Sequence, residues 1–152
     1  AYVLSQENSS PAVYPLLNIV VAGLTMQWYP ARADGAPKKS ELRRHLKTAR
    51  SLLPEAGGVF REREASWDPW LASMAIDRQL LEALIDGNCD ARRQAFANSY
   101  REFSRRASPR EFASVLDNLE FLATLAARAS TKESLVTADC VRQLMRDLEA
   151  ES

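Results

Sequence analysis

The sequence predicts an all-α fold, a single-domain bundle of five or six helices. Three observations carry this. Apolar residues recur at three- and four-residue spacing along most of the chain, the mark of helices with one buried side. Helix-starting motifs precede those stretches: Ser10-Pro11, Asp68-Pro69 and Ser108-Pro109-Arg110-Glu111. Neither an Asn-Gly hairpin nor a sustained alternation of apolar and polar residues is present, and a sheet would need one or the other. A chain of 152 residues suits one domain that buries about two-thirds of its unfolded surface. Residues 1–152 are therefore read as one unit, with 1–10 a flexible lead-in and 149–152 a frayed end.

The first helix is expected over about 11–29, with Pro11 early, where its missing N–H costs little. Val13, Leu16, Leu17, Ile19, Val20, Val21, Leu24 and Met26 run nearly round it, so it is expected at the centre of the bundle, surrounded by other helices. Ile19-Val20-Val21 is β-branched and makes a short strand the local rival. Residues 8–31 carry no charge, but Pro15, Asn18, Thr25 and Gln27 interrupt the stretch. A buried helix is favoured over a membrane segment at 12–29.

After a loop from Pro30 to Pro37, the second helix is expected over 38–53. Leu42, Leu46, Ala49 and Leu53 form its apolar stripe, with Lys39, Arg43, Lys47 and Arg50 beside it. Pro54 and Gly57-Gly58 end it and open a looser connection to Ser66. The third helix starts from an N-cap at Ser66 or Asp68 and runs to Asp86, burying Trp70, Leu71, Met74, Leu81, Leu84 and Ile85. Trp67 is expected to staple onto its first turn, with a binding role for the aromatic pair Trp67 and Trp70 as the alternative. Gly87-Asn88 is the expected stop.

The fourth helix, Asp90 to about Arg106, buries Phe96, Tyr100 and Phe103 and sets Arg93, Arg101 and Arg105 on another face. Ser108 to Glu111 spells a capping box with Pro at its second position. The fifth helix follows to about Ala129, with Phe112, Val115, Leu116, Leu119, Leu122 and Ala126 inward. Ser130-Thr131-Lys132-Glu133 repeats the pattern before a last helix, expected to break near Thr137, that carries Leu135, Val141, Leu144, Met145 and Leu148.

Charge is balanced overall and uneven locally. Twenty Lys/Arg meet twenty Asp/Glu, yet residues 38–50 hold six bases and one acid, and 90–110 six bases and two acids. The flanking blocks are acidic. Two basic helices can meet phosphates or an acidic partner, or pair with the chain's own acids. No stacking aromatics interleave the bases and no nucleic-acid-binding module is spelled out, so any contact with nucleic acid is expected at the backbone, without base reading.

The catalytic inventory is thin. His45 is the sole histidine, with Glu41 one turn before it, and no nucleophile or second acid accompanies the pair. One His and two scattered Cys do not make a zinc pattern. Asp117 and Glu120, three apart on the fifth helix, read as a solvated strip. Glu62 and Glu64 share a loop with Arg61 and Arg63. Gly57-Gly58 lacks the context of a phosphate loop, and Ser51, Ser73 and Ser99 lack a nucleophile elbow. Cys140 among apolar neighbours reads as a packed thiol, and Cys89 and Cys140 together as reduced thiols in a cytoplasmic protein. A periplasmic or secreted place, with a bridge, is the alternative if a leader has been removed.

The reading is of a non-enzymatic binding or assembly subunit of a larger complex, without catalytic residues, metal or cofactor. Its contact residues are Lys39, Arg43, Lys47, Arg50, Arg93, Arg101 and Arg105, facing nucleic-acid backbone or an acidic partner. The alternative is an inhibitor, immunity protein or chaperone that meets a basic protein through Glu111, Asp117, Glu120, Asp139 and Asp147. Self-association is open, and a membrane partner is disfavoured. Capped helices of this kind recur in unrelated bundles, so the fold does not supply the function.

Overall fold

The computed structural model describes residues 9–29, 35–53 and 68–150, without the side chains of 9–12. Among them are six α-helices and no strand: α1 (Ser9–Gln27), α2 (Lys39–Leu52), α3 (Pro69–Asp86), α4 (Cys89–Arg106), α5 (Pro109–Ala129) and α6 (Lys132–Glu149). The all-α bundle is thus shown. The readings placed on Gly57-Gly58, Arg61 to Glu64, Ser66 and Trp67, and most of the lead-in, lie outside the described residues, as do 151–152.

The helix ends follow from local chemistry. Asp68, rather than Ser66, caps α3: its Oδ1 accepts from the N–H groups of Trp70 and Leu71 at 2.9 and 3.3 Å, and Pro69 follows it. Gly87 ends α3 in the left-handed region at φ 72°, where glycine carries no Cβ penalty. Ser108 and Glu111 close a reciprocal capping box at the start of α5. The next box sits one residue later than Ser130–Glu133 would place it. Thr131 caps α6, exchanging bonds with Ser134, because Ser130 is taken up as the left-handed C-cap of α5 at φ 55°. The last helix continues unbroken through Thr137, which is buried.

One apolar core involves all six helices. Trp28, Phe96, Tyr100 and Phe103 are its largest fully buried side chains. The antiparallel pair α5–α6, joined by two residues, packs most extensively, followed by α1–α2, α3–α4 and α4–α6. The α1–α2 contact depends on Gly23. A Cβ there would lie 2.5 Å from Leu42 Cδ2 and 2.8 Å from Pro37 Cγ.

Two expectations about burial are corrected. The first helix is not central: Val13, Leu17, Val20, Leu24 and Trp28 form one buried stripe, while Ile19 and Met26 are exposed. Bare apolar content overstated its enclosure: Leu16 and Val21 are only partly buried against the core, and the contacts of α1 are with α2, α3 and α5 on one side. Trp70 and Leu135, expected inside, are exposed, the one beside a cleft and the other on the outer side of α6. None of the helices described is long and apolar enough to cross a membrane.

The expectation of two reduced thiols is also corrected. Cys89, at the start of α4, and Cys140, in the middle of α6, are joined in a disulfide, with Cα atoms 6.4 Å apart. That separation lies within the range a bridge requires.

Candidate functional site

α3 and α5 make no substantial contact with each other, and the gap between them is an open cleft of about 440 Å³ with α1 as its third side. α1 contributes Tyr14, Leu17 and Val21; α3 contributes Trp70, Met74 and Leu81; α5 contributes Val115, Phe121 and Leu122, and Phe103 of α4 reaches the lining. The volume falls in the range of ligand pockets, and the predominantly apolar lining is of the same kind. Between Trp70 and Leu81, α3 lines it for about 16 Å at 1.5 Å per residue, or three helical turns.

Three large aromatics stand at this cleft with more than half their surface in water: Tyr14 at 59%, Trp70 at 55% and Phe121 at 60% exposure. Single exposed aromatics are ordinary; here three converge from three helices on one apolar hollow. The sequence singled out the Trp67–Trp70 segment as a candidate interface anchor, but Tyr14 and Phe121 carried no signal of their own, since their convergence depends on how the helices cross.

One polar group in the lining is held differently from the rest. Asp77 is half-buried on α3, and its Oδ1 accepts a 2.6 Å hydrogen bond from the Oη of Tyr100 on α4, which is fully buried. Burial pushes the Asp77 carboxyl up to about 6, with the Tyr100 hydrogen bond pulling the other way. Burial, then the Asp77 charge and the hydrogen bond, raise the Tyr100 hydroxyl well above its usual range. No Lys or Arg among the described residues pairs with Asp77. Arg78, next in the chain, turns to Glu82 at 3.0 Å. The other carboxyl in the lining, Glu111, is committed through Oε1 to the Ser108 N–H.

The structure divides the seven bases singled out in the sequence. Lys39 pairs with Glu133 at 3.2 Å and Arg43 with Asp86 at 2.9 Å. Arg93 bonds Asp90 and Asp147, at 3.3 and 3.1 Å, and Arg101 donates to the Asp147 carbonyl at 3.0 Å. These four tie helices of the bundle to one another or to themselves. Lys47, Arg50 and Arg105 are exposed. Their charges have no ion-pair partner among the described residues, and α2 and α4 do not gather the seven into one site. His45 is half-buried, Glu41 exposed, and no hydrogen bond joins them. Of the acids in the alternative reading, Asp147 is held by Arg93 and Gln143, Glu111 by its cap, while Asp117, Glu120 and Asp139 are exposed.

No family model, characterised protein or solved structure matches this chain.

What the arrangement can do chemically is therefore read from the cleft itself. It offers an apolar wall for apolar side chains and, on that wall, a carboxyl that has no counter-charge among the described residues. The Asp77–Tyr100 pair was within reach of the sequence only as a buried Tyr at a helical position. Its partner lies 23 residues away on another helix, a distance no motif spans.

Proposed function

We propose that the protein is a non-enzymatic binding subunit that accepts an amphipathic helix of a partner protein in the cleft between α1, α3 and α5. The observation that carries this is the convergence of Tyr14, Trp70 and Phe121, all exposed, on one apolar groove. A groove of about three turns bordered by helices is the setting for helix-in-groove recognition, read by anchors at i, i+4 and i+7. Aromatic side chains lose little freedom on binding and dominate interface energetics. The guest fills the gap between α3 and α5, which make no substantial contact with each other.

The test is site-directed photo-crosslinking. Phe121→p-benzoylphenylalanine is expected to capture a protein whose cross-linked stretch has helical apolar periodicity, while the same group at Thr48, exposed on α2, captures none. Adducts only from position 48, or none from 121, would sink the reading.

The basic helices support a second reading, contact with phosphate backbone or an acidic protein face. It rests on Lys47 and Arg50, which stand exposed one turn apart without an ion-pair partner among the described residues. Affinity for short DNA, RNA or an acidic protein that falls steeply with salt, and is lost on Lys47→Glu with Arg50→Glu, would support it. Absence of binding at low salt would remove it. The disulfide supports placement in an oxidising compartment, where such bridges form and persist, in place of the cytoplasm.

A further inference from the structure

The helix-binding reading leaves open which helices fit, and the charge of the cleft bears on that. Among the described residues its lining contains two carboxyls, Asp77 and Glu111, and no Lys or Arg. Glu111 is spent on the α5 cap. Asp77 gives one oxygen to Tyr100 and pairs with no base among the described residues. An ionised carboxyl in an apolar wall is costly until a cation or donor compensates it. Arg78 is the nearest base in sequence, and its bond to Glu82 holds it elsewhere.

Resting on that reading, we infer that Asp77 selects the partner: the guest helix carries a Lys or Arg within its apolar face, and this cation pairs with the Asp77 carboxylate on the cleft wall. The long alkyl stem of either side chain lies against the apolar lining while its head reaches the acid. Tyr100 positions the carboxylate by holding Oδ1, leaving the second oxygen for the guest. The apolar anchors supply affinity, and the ion pair supplies register, since a base one residue out of place faces another side of the helix.

Pairing requires Asp77 ionised. Burial holds its carboxyl up to about 6, so affinity for a base-bearing helix climbs as pH rises through that value. Among the described residues the other titratable groups around the cleft are Tyr14 from α1, Glu111 from α5 and Tyr100 from α4, and α2 contributes none to the lining.

The test uses a displayed library of 16-residue helical peptides with apolar anchors at fixed i, i+4 and i+7 positions and the remaining positions randomised. It is selected against the intact, oxidised protein and against Asp77→Asn, which keeps the acceptor for Tyr100. The expected result is enrichment of Lys or Arg at one register on the wild type alone. Lys→norleucine in an enriched peptide then costs about tenfold or more in affinity, removes the rise in affinity with pH, and makes no difference on Asp77→Asn. The norleucine comparison on unaltered protein stands even if Asp77→Asn folds poorly. Uncharged helices that bind both proteins alike, and are lost on Trp70→Ala with Phe121→Ala, would overturn the role of Asp77 and leave the cleft as a helix site. Peptides whose binding ignores Trp70 and Phe121 would overturn both.

Discussion

Tyr100 and Asp77 form a hydrogen bond of 2.6 Å between two helices, a fully buried phenol on α4 donating to a carboxyl on α3 that has no counter-charge among the described residues. The bond fixes the orientation of the acid on the cleft wall, and burial makes its ionisation a matter of stability.

The sign follows from the direction of the shift. In the folded protein the Asp77 carboxyl titrates at about 6 rather than 3.8, so the folded state holds the proton more tightly than the unfolded one. Stability from this group is full below about pH 4, falls as pH rises to about 6, and stays reduced above it. Asp77→Asn removes the cost of ionisation and keeps the acceptor. At pH 7.5 it is expected to stabilise the protein by about 1–3 kcal/mol, allowing for the partial exposure of Asp77, and by much less at pH 4.5. Denaturant unfolding at the two values checks this, and equal effects at both would contradict it.

Tyr100→Phe removes one oxygen and almost no volume. It leaves Asp77 without its donor, at an expected loss of about 1–3 kcal/mol at neutral pH. The hydrogen bond lowers the carboxyl, so its removal also moves the Asp77 titration upward. Carboxyl carbon NMR of the two proteins reads that movement, and an unchanged midpoint would show the bond to be weak in solution.

Gly23 is the point of closest approach between α1 and α2. A methyl group there meets Leu42, which is fully buried, and Pro37. The buried Leu42 methyl must move against its core neighbours to make room, so Gly23→Ala is expected to cost about 1–3 kcal/mol despite alanine's better helix propensity. Loss of the α1 packing would appear as faster amide exchange through residues 17–24. A neutral or stabilising result would mean the two helices separate at little cost.

The helix frame was legible in the sequence because its signals are local. Asp68-Pro69, Gly87 and the Ser108–Glu111 box each act within a few residues, and the structure uses all three. Where two local solutions competed, pattern could not choose. Ser130 or Thr131 each begins a capping motif, and the left-handed turn at Ser130 decides for Thr131. The cleft was not legible, because Tyr14, Trp70, Asp77 and Phe121 come together only through how α1, α3 and α5 cross. Periodicity marks the side of a helix that is apolar, not whether another helix covers it. The basic stripes were visible as composition, but their pairing with Asp86, Glu133 and Asp147 depends on the same packing.

The Cys89–Cys140 bridge offers the last test, and it bears on where the protein works. The two residues are 51 apart in sequence, so the bond closes a long loop of the unfolded chain and restricts it. A bridge of this kind contributes about 2–4 kcal/mol, and it fastens the start of α4 to the middle of α6. Cys89→Ser with Cys140→Ser is expected to lower stability by that amount, with the loss matched by adding reductant to the wild type. Reductant should have no effect on the double variant. Protein isolated without reductant and unfolded in the presence of a thiol reagent should show no free thiol. Two reactive thiols per chain under those conditions would return the cysteines to the reduced state and withdraw the argument for an oxidising compartment.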